Sequence, residues 1–251
     1  MKQLVLPRGS RTGPSVELRG REHHYLVRVR RIAVGEQIAA LDGSERLVLE
    51  VTEVHPDRLV LRVIDSPGSE GPIGPKIILF PFLLKARKLD DVVRQACEAG
   101  VSAIVPVVGD HCVSRPEGED DGKHKAERWA AIAREAAQQS GNRQVCEVRP
   151  PVTSRDLVSQ WTEDGPLLFF HQIALDKGNL HRYLFPRPEA VGLIVGPEGG
   201  LSPAEVALFR TQGALPVWLG PFVLRAETAS LYAVAAVNTI LQESPEWTIP
   251  M

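Results

Sequence analysis

The sequence predicts two folds in series, a small β-rich barrel followed by an α/β domain with a mostly parallel sheet. Three observations carry this. Up to about residue 65, short apolar runs alternate with turn residues and leave little room for helix. The ten residues Ser66-Pro-Gly-Ser-Glu-Gly-Pro-Ile-Gly-Pro75 then hold three prolines and three glycines, which is linker composition. Beyond them, strand-like and helix-like patterns take turns, as βαβ units require. The domains are placed at 1–70 and 76–251. The chain is long enough for one large core or two smaller ones.

In the first part, Glu36–Leu41 reads as a strand, Asp42-Gly43 as a hairpin turn, and Arg46–Val54 as the returning strand. His55-Pro-Asp57 turns the chain into a third strand, Arg58–Ile64, and the single helix is expected around Glu22–Arg30. In the second part the strands are Ile77–Pro81, Ala103–Val108, Val145–Val148, Leu167–Phe170, Val191–Val195 and Val217–Leu219. The helices are Leu89–Ala99 (ended by Gly100), Lys123–Gln139 (ended by Ser140-Gly141), a short one near Ser154–Trp161, Pro203–Thr211 and the apolar Ala226–Leu241. Ligands of parallel sheets sit at the carboxyl ends of the strands.

Composition narrows the function classes. With 43% hydrophobic and 24% charged residues, the chain is neither fibrous nor disordered. Its first apolar run, Leu4-Val-Leu6, is too short for a signal peptide, and no stretch approaches the roughly 18 apolar residues of a membrane span. A cytoplasmic location without membrane partners is therefore expected. Cys97, Cys112 and Cys146 are scattered and lack CxxC spacing, so they read as reduced thiols, with no zinc or other metal site. Net charge is only −2, yet seven arginines (8, 11, 19, 21, 28, 30 and 31) face two acids, Glu17 and Glu22, between residues 8 and 31. Clustered guanidinium groups suit phosphate, so this stretch is either an RNA footprint or a solvated basic face. His23 and His24 inside it either meet RNA or pack in the barrel.

The chemistry concentrates near the C-terminus. Leu193-Ile-Val-Gly-Pro-Glu-Gly-Gly-Leu-Ser-Pro-Ala-Glu205 specifies a strand, an irregular glycine turn and a helix opened by a capping box, with Ser202 as cap, Pro203 after it and Glu205 closing the box. Leu219-Gly-Pro-Phe-Val-Leu-Arg-Ala-Glu-Thr-Ala-Ser230 repeats the strand–turn–helix plan, with Glu227 and Thr228 suited to a helix start. Neither is a dinucleotide fingerprint or a phosphate loop with its lysine. Each alone reads equally as a structural turn. Arg225, between Leu224 and Ala226, needs a partner, either an acid of the protein or a ligand anion.

Taken together, these segments resemble the C-terminal motifs of the SPOUT methyltransferases, in particular the family that methylates N3 of a uridine in 16S rRNA. Its GPEGG and S-x-x-E correspond to Gly196–Gly200 and to Ser202 with Glu205. Its LG-x-x-x-LR-x-ETA corresponds to Leu219-Gly220, Leu224-Arg225 and Glu227-Thr228-Ala229. Upstream, His23-His24-Tyr-Leu-Val-Arg-Val-Arg-Arg-Ile32, Glu98-Ala-Gly-Val101 and the segment from Arg128-Trp129 to Gln139-Ser140-Gly141 resemble further family segments. The resemblance covers nearly the whole chain. It implies a PUA-like barrel, a trefoil-knotted catalytic domain, a homodimer, and 16S rRNA of the small ribosomal subunit as partner. It also implies S-adenosylmethionine as cofactor, held by Phe170, His171, Gly196, Glu198, Gly199, Gly200, Leu219, Gly220, Leu224 and Ala229.

Chemistry on a ring nitrogen requires positioning and stabilisation of the ring anion. Arg225 is the expected stabiliser, with Glu198 or Glu227 as proton acceptor or orienting group, or alternatively in a structural salt bridge. Arg8, Arg11, Arg28, Arg30, Arg31 and Arg143 are the expected rRNA contacts. The chain departs from the family at Gln95 (a lysine there), at His111 in Gly109-Asp110-His111 (an arginine there), and at Asn142 and Gln144. A different RNA target or acceptor atom, and an RNA-binding protein without catalysis, are the competing readings.

Overall fold

The structure is a computed structural model, and it describes residues 2–68 and 74–243. The chain divides into two compact units, Met1–Pro72 with Ala137–Val145, and Ile73–Ala136 with Cys146–Met251.

The first unit is built on β1 (Leu4–Val5), β2 (Arg11–Thr12), β3 (Ser15–Arg19), β4 (Gln37–Asp42), β5 (Glu45–Val54) and β6 (Arg58–Gly68). Helix α1 (Gly20–His24) runs straight into a π-helical turn, Tyr25–Val29. The strands form one sheet in the order β1-β4-β5-β6-β3-β2, antiparallel except for the β1–β4 pair. The Asp-Gly hairpin forms as its sequence requires: Asp42 pairs with Glu45, and Gly43 takes a φ of +61°. Along β5, Leu47, Leu49 and Val51 are buried and their neighbours are not. The β5–β6 pairing shifts register three times, and such bulges bend a sheet around its apolar face. Inside lie Val16, Leu18, Leu26, Ile38 and Leu61, among others, in one core.

The second unit contains β7 (Lys76–Pro81), α2 (Lys88–Glu98), β8 (Ala103–Ile104), β9 (Val107–Val108), α3 (Glu119–Ser140), β10 (Glu147–Val148) and β11 (Val152–Thr153). A 3-10 turn at Val158–Gln160 is followed by β12 (Leu167–Phe170), α4 (Leu180–Tyr183), β13 (Ala190–Val195), α5 (Pro203–Thr211), β14 (Leu215–Val217) and α6 (Ala226–Gln242). From Ala137 on, α3 belongs to the first unit. Six strands pair in the order β10-β8-β7-β13-β12-β14, every pair parallel. Strands β12 and β13 are buried along their whole length, which is why they read as unbroken apolar runs rather than alternating ones. Asp90 on α2 accepts the indole N–H of the buried Trp129 at 2.9 Å and a guanidinium N–H of Arg128 at 2.7 Å, joining α2 to α3.

Several expected elements differ in extent. The run Ala103–Val108 is two short strands in different sheets, because Pro106 has no N–H to continue a ladder. The last strand is Leu215–Val217 rather than Val217–Leu219. It pairs with β12 only as far as Phe170, and as an edge strand it tolerates Pro216. Val145 leaves the expected strand Val145–Val148 to pack with Val5, Leu41 and Ala137. The short helix near Ser154–Trp161 is only the 3-10 turn. Ser66, Pro67 and Gly68 of the expected linker continue β6, and residues 69–73 lie outside the described ones. The cysteines are buried and form no disulfide, and burial raises the Cys112 thiol above its ordinary value.

Candidate active site

The register of the parallel sheet builds the site. Phe170 at the end of β12 pairs with Val195 of β13 on one side and with Val217 of β14 on the other. Three strands therefore finish in one row, and three loops leave from it side by side. The loop after β13, Gly196–Ser202, needs glycine at position 200, where φ is +71°. It ends in the complete capping box of α5: Ser202 accepts the Glu205 N–H, and the Glu205 carboxylate accepts the Ser202 N–H. The segment after β14 turns at Gly220, φ +122°, and delivers Arg225 to the N-cap of α6 without a side-chain cap bond.

Together these loops enclose a cavity of about 400 Å³. Gly196, Glu198, Gly199 and Gly200 contribute one wall, and Leu219, Gly220 and Leu224 another. Phe170, His171 and Ala229 complete the set of residues named from the sequence for the cofactor, and all ten line this one cavity. Arg225 lines it too, and Glu227 does not. Phe222 and Val223, both on its lining, are 83% and 77% exposed, so one flank of the site is apolar and open to solvent.

The electrostatics depend on a residue that the sequence did not single out. Lys88, the first residue of α2, lines the cavity with its ammonium 3.4 Å from Glu198 Oε1 and 3.5 Å from Glu227 Oε2. A cation on the first turn opposes the helix dipole, so a lysine there implies nearby acids, and this was the available signal. Those acids lie more than a hundred residues away in sequence. Burial pushes the Glu198 carboxyl up, but its own N–H, the Lys85 N–H at 3.2 Å and the Lys88 ammonium outweigh burial and hold it below the ordinary value. Glu227 Oε2 is buried without a hydrogen bond among the described residues, and at 3.5 Å the Lys88 contact is Coulombic. Arg225 has no ion pair among the described residues, which leaves its guanidinium for a ligand.

The sheet ends bring in a further turn, Gly109-Asp110-His111-Cys112, which hydrogen-bonds to the glycine loop and to α5. In the first unit, Arg8, Arg28, Arg30 and Arg31 are exposed, whereas Arg11 pairs with Glu45 at 2.6 Å and with Asp42 at 3.2 Å. Arg143 is half-buried. His24 is exposed, but His23 is buried, its Nε2 2.9 Å from the His55 carbonyl, so it packs within its own unit.

A parallel α/β sheet with a glycine-walled cavity at its carboxyl edge defines a small-molecule-binding enzyme domain. Residues 70–238 match the RNA methyltransferase domain family, and the chain belongs to it. Among curated proteins it is 31% identical to the ribosomal RNA small subunit methyltransferase E of Mycobacterium bovis, over 91% of this chain and 88% of that one. It is 29% identical to the protein of the same name from Bacillus subtilis, over 90% of each. Among solved structures it resembles ribosomal RNA small subunit methyltransferase E from Neisseria gonorrhoeae bound to S-adenosyl methionine, with 26% identity and a TM-score of 0.82 over 96% of this chain and 98% of that one. A Legionella pneumophila putative methyltransferase with bound SAM matches at 26% identity and a TM-score of 0.83, over 95% and 97%.

Proposed function

We propose that this protein is an S-adenosylmethionine-dependent methyltransferase acting on N3 of a uridine in 16S rRNA of the small ribosomal subunit. The observation that carries the reading is the single cavity lined by all ten residues whose motifs resemble a cofactor site. The cavity fits the cofactor. Its volume suits a ligand of that size, its walls are backbone and apolar side chains, and ionised Glu198 offers an anion to a cationic ligand. When bound, S-adenosylmethionine supplies an electrophilic methyl group on a sulfonium, so no covalent enzyme intermediate is required.

The protein's own residues then have three tasks. The loops Gly196–Gly200 and Leu219–Leu224 hold and orient the donor and exclude water from it. Arg225, without an ion pair among the described residues, faces the uracil carbonyl oxygens and favours the ring anion left when the N3 proton departs. Glu198, ionised and on the cavity lining, is placed to take that proton, while Glu227 acts through Lys88. Arg8, Arg28, Arg30 and Arg31 hold rRNA phosphates, joined more weakly by Arg11 and Arg143.

The remaining features of the reading have their own support. The curled N-terminal sheet suits a PUA-like RNA-binding barrel. For a trefoil knot, the relevant feature is that α6 follows edge strand β14 yet packs on α2, β7 and β13. Exposed Phe222 and Val223, with Trp218 and Tyr232 nearby in sequence, provide apolar surface for a second copy in a homodimer. No described helix is long and apolar enough to cross a membrane, and ribosomal RNA as substrate supports a cytoplasmic location.

Two measurements test the reading. Calorimetric titration with S-adenosylmethionine should give stoichiometric binding, and its absence would favour an RNA-binding protein without catalysis. Nucleoside analysis of 16S rRNA from cells with and without the gene should show a 3-methyluridine that disappears with it. A different missing nucleoside would reassign the acceptor.

A further inference from the structure

We propose that the turn Gly109–Cys112 after β9 is a positioning device that presets the Gly196–Ser202 loop for its ligand, with His111 as its principal contact. The inference rests on the reading of that loop as the cofactor loop. None of Gly109, Asp110, His111 or Arg115 lines the cavity, so whatever they do there is done through the loop.

The turn is itself held rigidly. The Arg115 guanidinium donates to the carbonyls of Gly109 at 3.1 Å, Asp110 at 3.2 Å and Cys112 at 3.3 Å. Gly109 admits no side chain, because a Cβ there would collide with the ring of Phe82 and the carboxylate of Glu205. From this base the turn reaches the loop at two places. At the loop's far end, the Glu205 carboxylate, on a residue 3% exposed, accepts the Asp110 N–H at 3.0 Å and the Ser202 N–H at 2.8 Å. The Ser202 hydroxyl donates to Asp110 Oδ2 at 2.5 Å. One buried carboxylate thus ties both backbones together, and hydrogen bonds to a charged acceptor are the strong kind.

In the middle of the loop, His111 Nδ1 lies 3.1 Å from the Gly199 carbonyl and 3.0 Å from the Gly200 carbonyl. Both partners are acceptors, so Nδ1 carries the proton and donates to them, in the neutral and the protonated ring alike. A Cβ on Gly199 would lie 3.0 Å from the His111 Cβ, so this close approach favours glycine there. Gly199 and Gly200 both line the cavity. A loop pinned at both points before ligand arrives loses less freedom on binding, and that difference appears as affinity rather than as turnover.

The test is calorimetric titration of S-adenosylmethionine into the wild-type protein and His111→Ala, Arg115→Ala and His111→Asn variants, with kcat at saturating cofactor and thermal midpoints alongside. Both altered side chains are exposed at their outer ends, so folding should survive. His111→Ala and Arg115→Ala should each weaken binding about tenfold. Saturated kcat should stay within about twofold, because the reacting groups are untouched. His111→Asn, whose amide nitrogen occupies the place of Nδ1, should recover most of the affinity. Unchanged affinity in both alanine variants of a protein that binds the cofactor would overturn this inference alone. Equal loss in alanine and asparagine would overturn the donor role of His111. Failure of the wild-type protein to bind would overturn both this inference and the function on which it rests.

Discussion

Arg225 and Lys88 are the two cations of the cavity, and both sit at the start of a helix, where the dipole disfavours positive charge. Lys88 is compensated by Glu198 and Glu227, whereas Arg225 has no acid partner among the described residues. Arg225→Ala should therefore lower kcat by about 100-fold or more while cofactor affinity holds within about threefold, the pattern of a group needed mainly as charge develops. Steady-state kinetics with direct titration of the cofactor separate the two effects, and equal activity would remove Arg225 from the mechanism. Lys88→Met takes one support from Glu198 and leaves two carboxylates facing each other. The Glu198 pKa should rise, as read by carboxyl NMR titration. The sign for stability follows. A depressed carboxyl stabilises the fold above its ordinary value of 4.5, and that contribution is lost as pH falls through the lower folded value. The variant should lose part of it at higher pH than the wild type, and an unmoved titration would leave the backbone N–H groups as its whole cause.

Secondary-structure elements were legible where periodicity was long or chemistry unambiguous. The hairpin β4–β5, the buried strands β12 and β13 and the capped helix α5 all follow from local rules. Strands β1, β2 and β11 and helix α4, of two to four residues, escaped because pairing partners rather than local pattern define them. The join between α2 and α3 is likewise tertiary: Asp90 reads as a first-turn acid, yet it is the buried acceptor for Trp129. Asp90→Ala should cost about 2 kcal/mol by urea denaturation with an unchanged m-value, chiefly from the stranded indole N–H. A loss below about 0.5 kcal/mol would show that water replaces the acceptor.

For the whole molecule, a net charge of −2 conceals a basic stretch whose exposed members include Arg8, Arg28, Arg30 and Arg31. Affinity for small-subunit rRNA should fall steeply with salt. Arg28→Ala with Arg30→Ala should flatten the log–log slope by about 1.4 to 1.8, near 0.7 to 0.9 per phosphate contact. Binding titrations between low and physiological salt measure it, and an unchanged slope would move the RNA face elsewhere. On the proposed homodimer reading, Phe222→Asp should sediment as a monomer where the wild-type protein sediments as a dimer, because it places charge in the exposed apolar flank.

The sequence by itself determined the longer elements and the two glycine-rich strand–turn–helix segments. All of these depend on interactions within a few residues of chain, where φ preferences, caps and hydrophobic period act. Only the tertiary structure decided which of those residues share a cavity and which distant groups tune them. Lys88 meets Glu198 and Glu227, and His111 meets Gly199 and Gly200, solely because parallel strands far apart in the chain end in one row. Glu227 falls behind Lys88 instead of on the cavity wall for the same reason. Register between strands places charges against one another, and no local rule records it.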